Sequence, residues 1–122
     1  MATESADWLR DQAHAVSSRL LCRYGSELDA IVALNDEMAL GAVTAVIEAG
    51  KLGEVFVIGL DGTQDALASI RAGQLTATLN TNPREMGRIL VRSVVRGLIK
   101  HEVLRREIYS PINVVDLENV NS

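Results

Sequence analysis

Three apolar runs of similar length stop at polar residues, and each leads into a segment with helical periodicity. The runs are Ile31-Val-Ala-Leu-Asn35-Asp36, Phe56-Val-Ile-Gly-Leu-Asp61 and Leu75-Thr-Ala-Thr-Leu-Asn80, the last continuing into Thr81-Asn82-Pro83. Continuous apolar runs joined by helical crossovers are the sequence form of buried parallel strands. The pattern predicts strands at about 30–34, 55–60 and 75–80, with helices at about 36–49 and 63–72 that end in Ala49-Gly50 and Ala72-Gly73. A helix over 5–24 precedes them, with Leu9, Ala13, Val16 and Leu20 on one face, a cap at Ser5 or Thr3, Asp7 in its first turn and Trp8 packed near that face. A last helix starts at Asn82-Pro83-Arg84-Glu85, which supplies a cap, Pro at the first position and Glu at the third. It runs to about Lys100, with Met86, Leu90, Val94 and Leu98 as its apolar stripe and Ile89 alongside. A final strand falls over about 108–115, and residues beyond Glu118 read as a tail. The fold class is α/β, a three-layer α/β/α arrangement on a parallel sheet.

Such sheets bind ligands off the carboxyl ends of their strands. Asn35, Asp36, Asp61, Asn80 and Thr81 therefore belong to one rim although they are far apart in sequence. Asp36, Thr63 and Asn82 also suit helix capping, and capping accounts for many strand-end polar residues. Asp61 is different, because Thr63 is free to be the cap and Gly62 lets backbone approach. A carboxylate accepts hydrogen bonds from two vicinal hydroxyls, and an Asn side chain both donates and accepts. Gly41 lowers the helix propensity of its segment by about 1 kcal/mol against Ala, which is tolerable where that helix lies very close to a strand.

With 122 residues there is room for one domain, and 48% hydrophobic with 23% charged residues is ordinary for a globule. The net charge of −4 gives no reason to expect nucleic acid. Charge is uneven, however. From Arg84 to Arg106 seven cations face Glu85 and Glu102 alone, about +5, so the remainder carries about −9. On a helix the spacing of four makes Arg84, Arg88, Arg92, Arg96 and Lys100 a spiralling ridge, either a solvated face or a contact for an acidic protein surface. Cys22 stands alone and reads as a small buried hydrophobe. His14 and His101 have no partner at metal-ligand spacing, and no cofactor is implied. The amino terminus lacks an apolar signal segment, and no run approaches a membrane span. No nucleophile elbow, phosphate loop or dinucleotide glycine pattern occurs. An acid–base pair of Asp61 and Asp36 has no activated nucleophile or metal cluster beside it, so the expectation is a protein that is not an enzyme.

At Asn35-Asp-Glu-Met-Ala-Leu-Gly-Ala42 the chain resembles the carboxyl-terminal lobe of periplasmic sugar-binding proteins of the ribose-binding type. The resemblance continues in register through Val57-Ile-Gly-Leu-Asp-Gly-Thr-Gln-Asp-Ala66, Ile70-Arg-Ala-Gly-Gln-Leu-Thr-Ala-Thr78 and Pro83-Arg-Glu-Met-Gly87, and covers roughly residues 5–117. It implies a sugar-binding component of an ABC transporter, with Asn35, Asp61 and Thr81 on the ligand and a periplasmic or extracellular location. Thr81 stands where ribose binders usually have Gln, and Leu60 where they commonly have an aromatic. The effector lobe of lac-repressor-like regulators shares the Asn35 stretch but usually shows Asp-Asp at Asp61-Gly62. The resemblance also implies a single partial lobe over 1–122, in which 5–81 form the core and 82–117 are a helix and strand that pack on, or cross from, a second lobe. On that basis the chain is expected to be a fragment with an incomplete cleft that binds sugar weakly or not at all, and to form a homodimer.

Overall fold

In a computed structural model the structure describes residues 1–105 and 107–122, so Arg106 of the basic run lies outside the described residues. The elements follow in the order α1 (Arg10–Tyr24), β1 (Ala30–Val32), α2 (Asp36–Glu48), β2 (Phe56–Asp61), α3 (Gln64–Arg71), β3 (Ala77–Asn80), α4 (Pro83–Val94) and β4 (Asn113–Asp116), with a π-helical turn, Val95–Ile99, extending α4. The sheet order is β1-β2-β3-β4. β1, β2 and β3 are parallel, and β4 runs antiparallel to β3 with Asn113 opposite Asn80. The sheet is thus mixed where a wholly parallel one was expected. α4 leaves from the carboxyl end of β3 and the chain re-enters the sheet at that same end, so its direction must be reversed.

Right-handed crossovers along one direction of the sheet place α2 and α3 on the same face. Val57, Gly59 and Thr78 face them and are buried, together with Val46 and Ala42 of α2 and Ala66 and Ile70 of α3. Phe56, on the other face, is 53% exposed. Of the layers expected, helices and sheet are in close contact on the α2–α3 side, and among the described residues the Phe56 side stays open.

Helix α1 lies against α2 rather than directly on the sheet. Its buried line is Ala13, Ser17 and Leu21, not the Leu9–Leu20 face, because α1 approaches α2 closest at its small residues. Gly41 is the reason: a Cβ there would meet the Arg10 carbonyl oxygen at 2.2 Å. The close neighbour of Gly41 is therefore a helix, not the expected strand. Cys22, one residue past Leu21 and so turned about 100° away, is exposed instead of buried. Ile47 of α2 is 41% exposed. The start of α1 also differs. Ser5 and Asp7 bond each other in a local turn, so neither caps the helix, and Leu9 takes the capping position without a side-chain bond.

The carboxyl-terminal residues are not a tail. Val120 joins the core, and Arg71 donates to the Val120 carbonyl at 3.2 Å and to Asn121 Oδ1 at 3.1 Å. α4 has no buried residue, and Met86, Leu90, Val94 and Leu98 are 40–73% exposed.

Candidate functional site

The carboxyl ends of β1, β2 and β3 and the amino ends of α2, α3 and α4 meet at one edge of the sheet. Asp61 pairs with Asn80 across β2 and β3, and the Thr81 N–H points to the Asp61 carbonyl at 3.4 Å. From the β1 side, the chain passes through Asn35 into α2, whose first residue, Asp36, accepts from the Thr63 N–H, two residues beyond Asp61, at 2.7 Å. Asn35, Asp61 and Thr81 are therefore drawn to the same edge, with Asn80 and Asn113 beside them.

Asn35 divides its side chain between two duties. Its Oδ1 caps α2 by accepting from the Met38 N–H at 2.8 Å, and its Nδ2 reaches the Trp8 carbonyl at 3.4 Å. Capping and site placement are thus properties of one residue, and half of the amide remains able to donate. Thr63 and Asn82 cap α3 and α4 through Ala66 N–H and Glu85 N–H, as their sequence positions predict.

Asp61 adopts φ 127°, a conformation seldom held by a residue with a side chain. Burial pushes its carboxyl above the ordinary value of 3.8, the negative charge of Asp36 pushes the same way, and the Asp36 N–H opposes both. Trp8 (φ 64°) and Asn82 (φ 47°) are further positive-φ residues at this edge. Such conformations concentrate at functional sites, where surrounding contacts over-determine them.

Asp36 is fully buried and faces inward. Its carboxylate accepts from Thr63 N–H at 2.7 Å and Thr78 Oγ1–H at 2.6 Å. Gly59 leaves room for it, since a Cβ there would stand 2.3 Å from Asp36 Oδ1. It is therefore not the cap of α2, a place taken by Asn35, and its side chain supports the edge from within. Arg10 ties the outside of the same edge together, pairing with Glu37 of α2 at 2.9 Å and Asp65 of α3 at 3.2 Å. Among the described residues no group of three or more His, Cys, Asp or Glu is arranged to hold a metal ion.

Trp8 was expected to pack and does not. It is 61% exposed, and its carbonyl is held by Asn35 at the edge. Its position before α1 gave no sign of this in the sequence, because only the Ala6–Leu9 turn brings it to Asn35. Thr78 was also missed; the one signal was a hydroxyl inside an apolar run on the side of β3 that faces α2.

This fold, with its polar strand-end edge, is that of an α/β lobe. Residues 2–102 match the family described as the periplasmic binding protein domain, and the chain belongs to that family. It is 42% identical over 87 residues to the D-allose-binding periplasmic protein of Escherichia coli K12, covering 71% of this chain and 28% of that protein. With the ribose import binding protein of Bacillus subtilis it shares 35% over 111 residues, 91% of this chain and 35% of that one. Among solved structures, the ABC transporter periplasmic solute-binding protein of Actinobacillus succinogenes with bound D-allose superposes with a TM-score of 0.90 at 32% identity, over 98% of this chain and 42% of that chain. The myo-inositol-binding protein of Caulobacter, bound to myo-inositol, gives 0.83 at 34%, over 94% of this chain and 39% of that chain. The chain thus spans 28% to 42% of the length of these relatives.

Among the described residues no helix is long and apolar enough to cross a membrane.

Proposed function

We propose that this chain is a sugar-binding lobe of an ABC-transporter solute-binding protein, with no catalytic role, working in the periplasm or outside the cell and serving an ABC permease. The carrying observation is the strand-end edge, where Asn35, Asp61 and Thr81 present an amide, a carboxylate and a hydroxyl together. Asp61 accepts from two vicinal hydroxyls, the Asn35 amide donates its remaining N–H, and Thr81 does either. Trp8 adds an exposed indole face for the C–H side of a sugar or cyclitol ring. The ligands named for the relatives, D-allose, ribose and myo-inositol, are all polyhydroxylated and fit this donor set.

Binding by the chain alone is weak, because the edge is open and small-ligand sites usually enclose most of their ligand. The test is an amide-shift titration with D-allose, D-ribose and myo-inositol. Shifts centred on Trp8, Asn35, Asp61 and Thr81, with affinity of about millimolar order, are expected. Shifts confined to other regions, or none with any of the three, would overturn the site. Micromolar affinity of the monomer would overturn the weak-binding reading alone.

A homodimer belongs to the same proposal. β1 is an edge strand with Val32 exposed, as is Leu34 just beyond it, and α4 exposes its apolar stripe beside a cationic ridge. Bare edges and apolar faces of this kind are usually covered, and the opposite charge of the rest of the chain suits a second copy. Sedimentation at micromolar concentration is expected to show a dimer; a stable monomer would refute it.

A further inference from the structure

We infer that Asp36, with Thr78 as its relay, is a positioning residue that sets the direction of the Asp61 carboxylate by clamping the turn that follows it. The inference rests on the proposed sugar site. The turn runs through Asp61 at φ 127° and Gly62 at φ 78° to Thr63, the cap of α3. Two consecutive N–H groups after Asp61 end on one buried unit. Thr63 N–H donates to Asp36 Oδ2 at 2.7 Å, and Gly62 N–H donates to Thr78 Oγ1 at 3.3 Å. Thr78 in turn donates its hydroxyl proton to Asp36 Oδ1 at 2.6 Å, so one carboxylate oxygen serves each branch. Hydrogen bonds to an ionised acceptor are the strong ones, and both Asp36 and Thr78 are fully buried.

The surrounding glycines make this arrangement sterically specific. A Cβ at Gly59 would displace the Asp36 carboxylate, and one at Gly62 would stand 2.7 Å from the Asn80 side chain. A single side chain thus holds both N–H groups that follow Asp61, directly at Thr63 and through Thr78 at Gly62. On its amino-terminal side Asp61 is held by its pairing with Asn80; on the side of the turn the clamp opposes relaxation from its unfavourable φ. A role limited to the α2 dipole would leave the turn independent of Thr78, which is on a different strand.

The experiment compares wild type, Thr78→Val, Thr78→Ser and Asp36→Asn by amide exchange and by the backbone coupling of Asp61, with a D-allose titration of each. In Thr78→Val, protection of the Gly62 amide is expected to fall at least ten-fold while that of Val57, in the middle of β2, is kept, and the Asp61 coupling shifts. Thr78→Ser, which retains the hydroxyl, restores both. Wild-type values for Gly62 and Asp61 in Thr78→Val would overturn the inference, as would an equal loss of protection along all of β2. If Thr78→Val does not fold, Asp36→Asn decides: an unchanged Thr63 amide and Asp61 coupling would overturn the clamp. D-allose affinity should fall at least ten-fold in Thr78→Val and recover in Thr78→Ser. Absence of a shift with D-allose, D-ribose and myo-inositol alike in wild type would sink the sugar reading while the exchange and coupling data still decide the clamp.

Discussion

Gly41→Ala separates two opposing effects whose sizes can be set against each other. In a helix interior Ala is favoured over Gly by about 1 kcal/mol, so propensity alone predicts a stabilised protein. Space predicts the reverse. The new Cβ would stand 2.2 Å from the Arg10 carbonyl oxygen, 3.0 Å from the His14 nitrogen and 3.1 Å from the Ala13 Cβ. The first two are backbone atoms of α1, which no rotamer change can move aside. A normal C···O approach is about 3.3 Å or more, so the helices must part by roughly 1 Å. A gap of that size forfeits a quarter to a half of the dispersion energy along the contact, and overpacking of this kind costs about 1–3 kcal/mol. With the clash fixed in backbone the cost lies toward the upper end, leaving a net loss of about 1–2 kcal/mol and a fall in Tm of about 3–8 °C. Gly87→Ala is the control. It lies within α4, and its Cβ would meet nothing within 4 Å. There propensity acts alone, and amide protection in α4 should rise up to about five-fold. Urea and thermal unfolding followed by circular dichroism measure the first effect. Equal or greater stability of Gly41→Ala would refute the close α1–α2 crossing.

Asp61→Asn should raise stability at neutral pH while removing sugar binding. The carboxyl of Asp61 is pushed above 3.8 in the folded chain, so the native state holds its proton to higher pH than the unfolded state does. Its ionisation therefore lowers stability as pH rises from 3.8 through the folded value, and the advantage of the Asn variant should shrink as pH falls through the folded value and be gone below 3.8; a variant less stable than wild type at pH 7 would contradict this. Trp8→Ala should leave Tm within about 1–2 °C, since the indole is 61% exposed, yet weaken D-allose binding in the shift titration; a large stability loss with unchanged binding would mean that Trp8 packs after all. Asn35→Ala should cost about 1 kcal/mol through the lost Met38 cap, whereas Asn35→Asp keeps the cap and loses only the donor to Trp8; equal unfolding midpoints for the two variants would count against the divided role.

The elements legible in the sequence were those whose cause is local. The caps at Thr63 and Asn82 are spelled by residue type and spacing, and each makes the expected bond, whereas the cap of α2 is Asn35 and not the neighbouring Asp36. The apolar runs of β2 and β3 have the length and continuity of buried parallel strands, so the sheet edge that gathers Asn35, Asp61 and Thr81 could be named before any coordinates. What escaped was set by pairs of residues far apart in the chain. The buried line of α1 is chosen by Gly41 of α2, so helical periodicity within 10–24 could not fix its rotation or the exposure of Cys22. The direction of β4 is decided by where the chain re-enters the sheet, at Asn113 opposite Asn80, a choice made 33 residues after the end of β3 and invisible in the composition of the strand itself. Trp8 shows the same limit at the candidate site. An indole ahead of an amphipathic helix is a reasonable core residue by local pattern, yet the positive φ of Asp7 and Trp8 turns the chain before α1 and leaves the ring outside. The polar residues that face outward at the edge were therefore readable one strand at a time. The network that holds them, Asp36 with Thr63, Thr78 and Gly62, draws on α2, β3 and the turn before α3, and exists only once those three segments have been brought together.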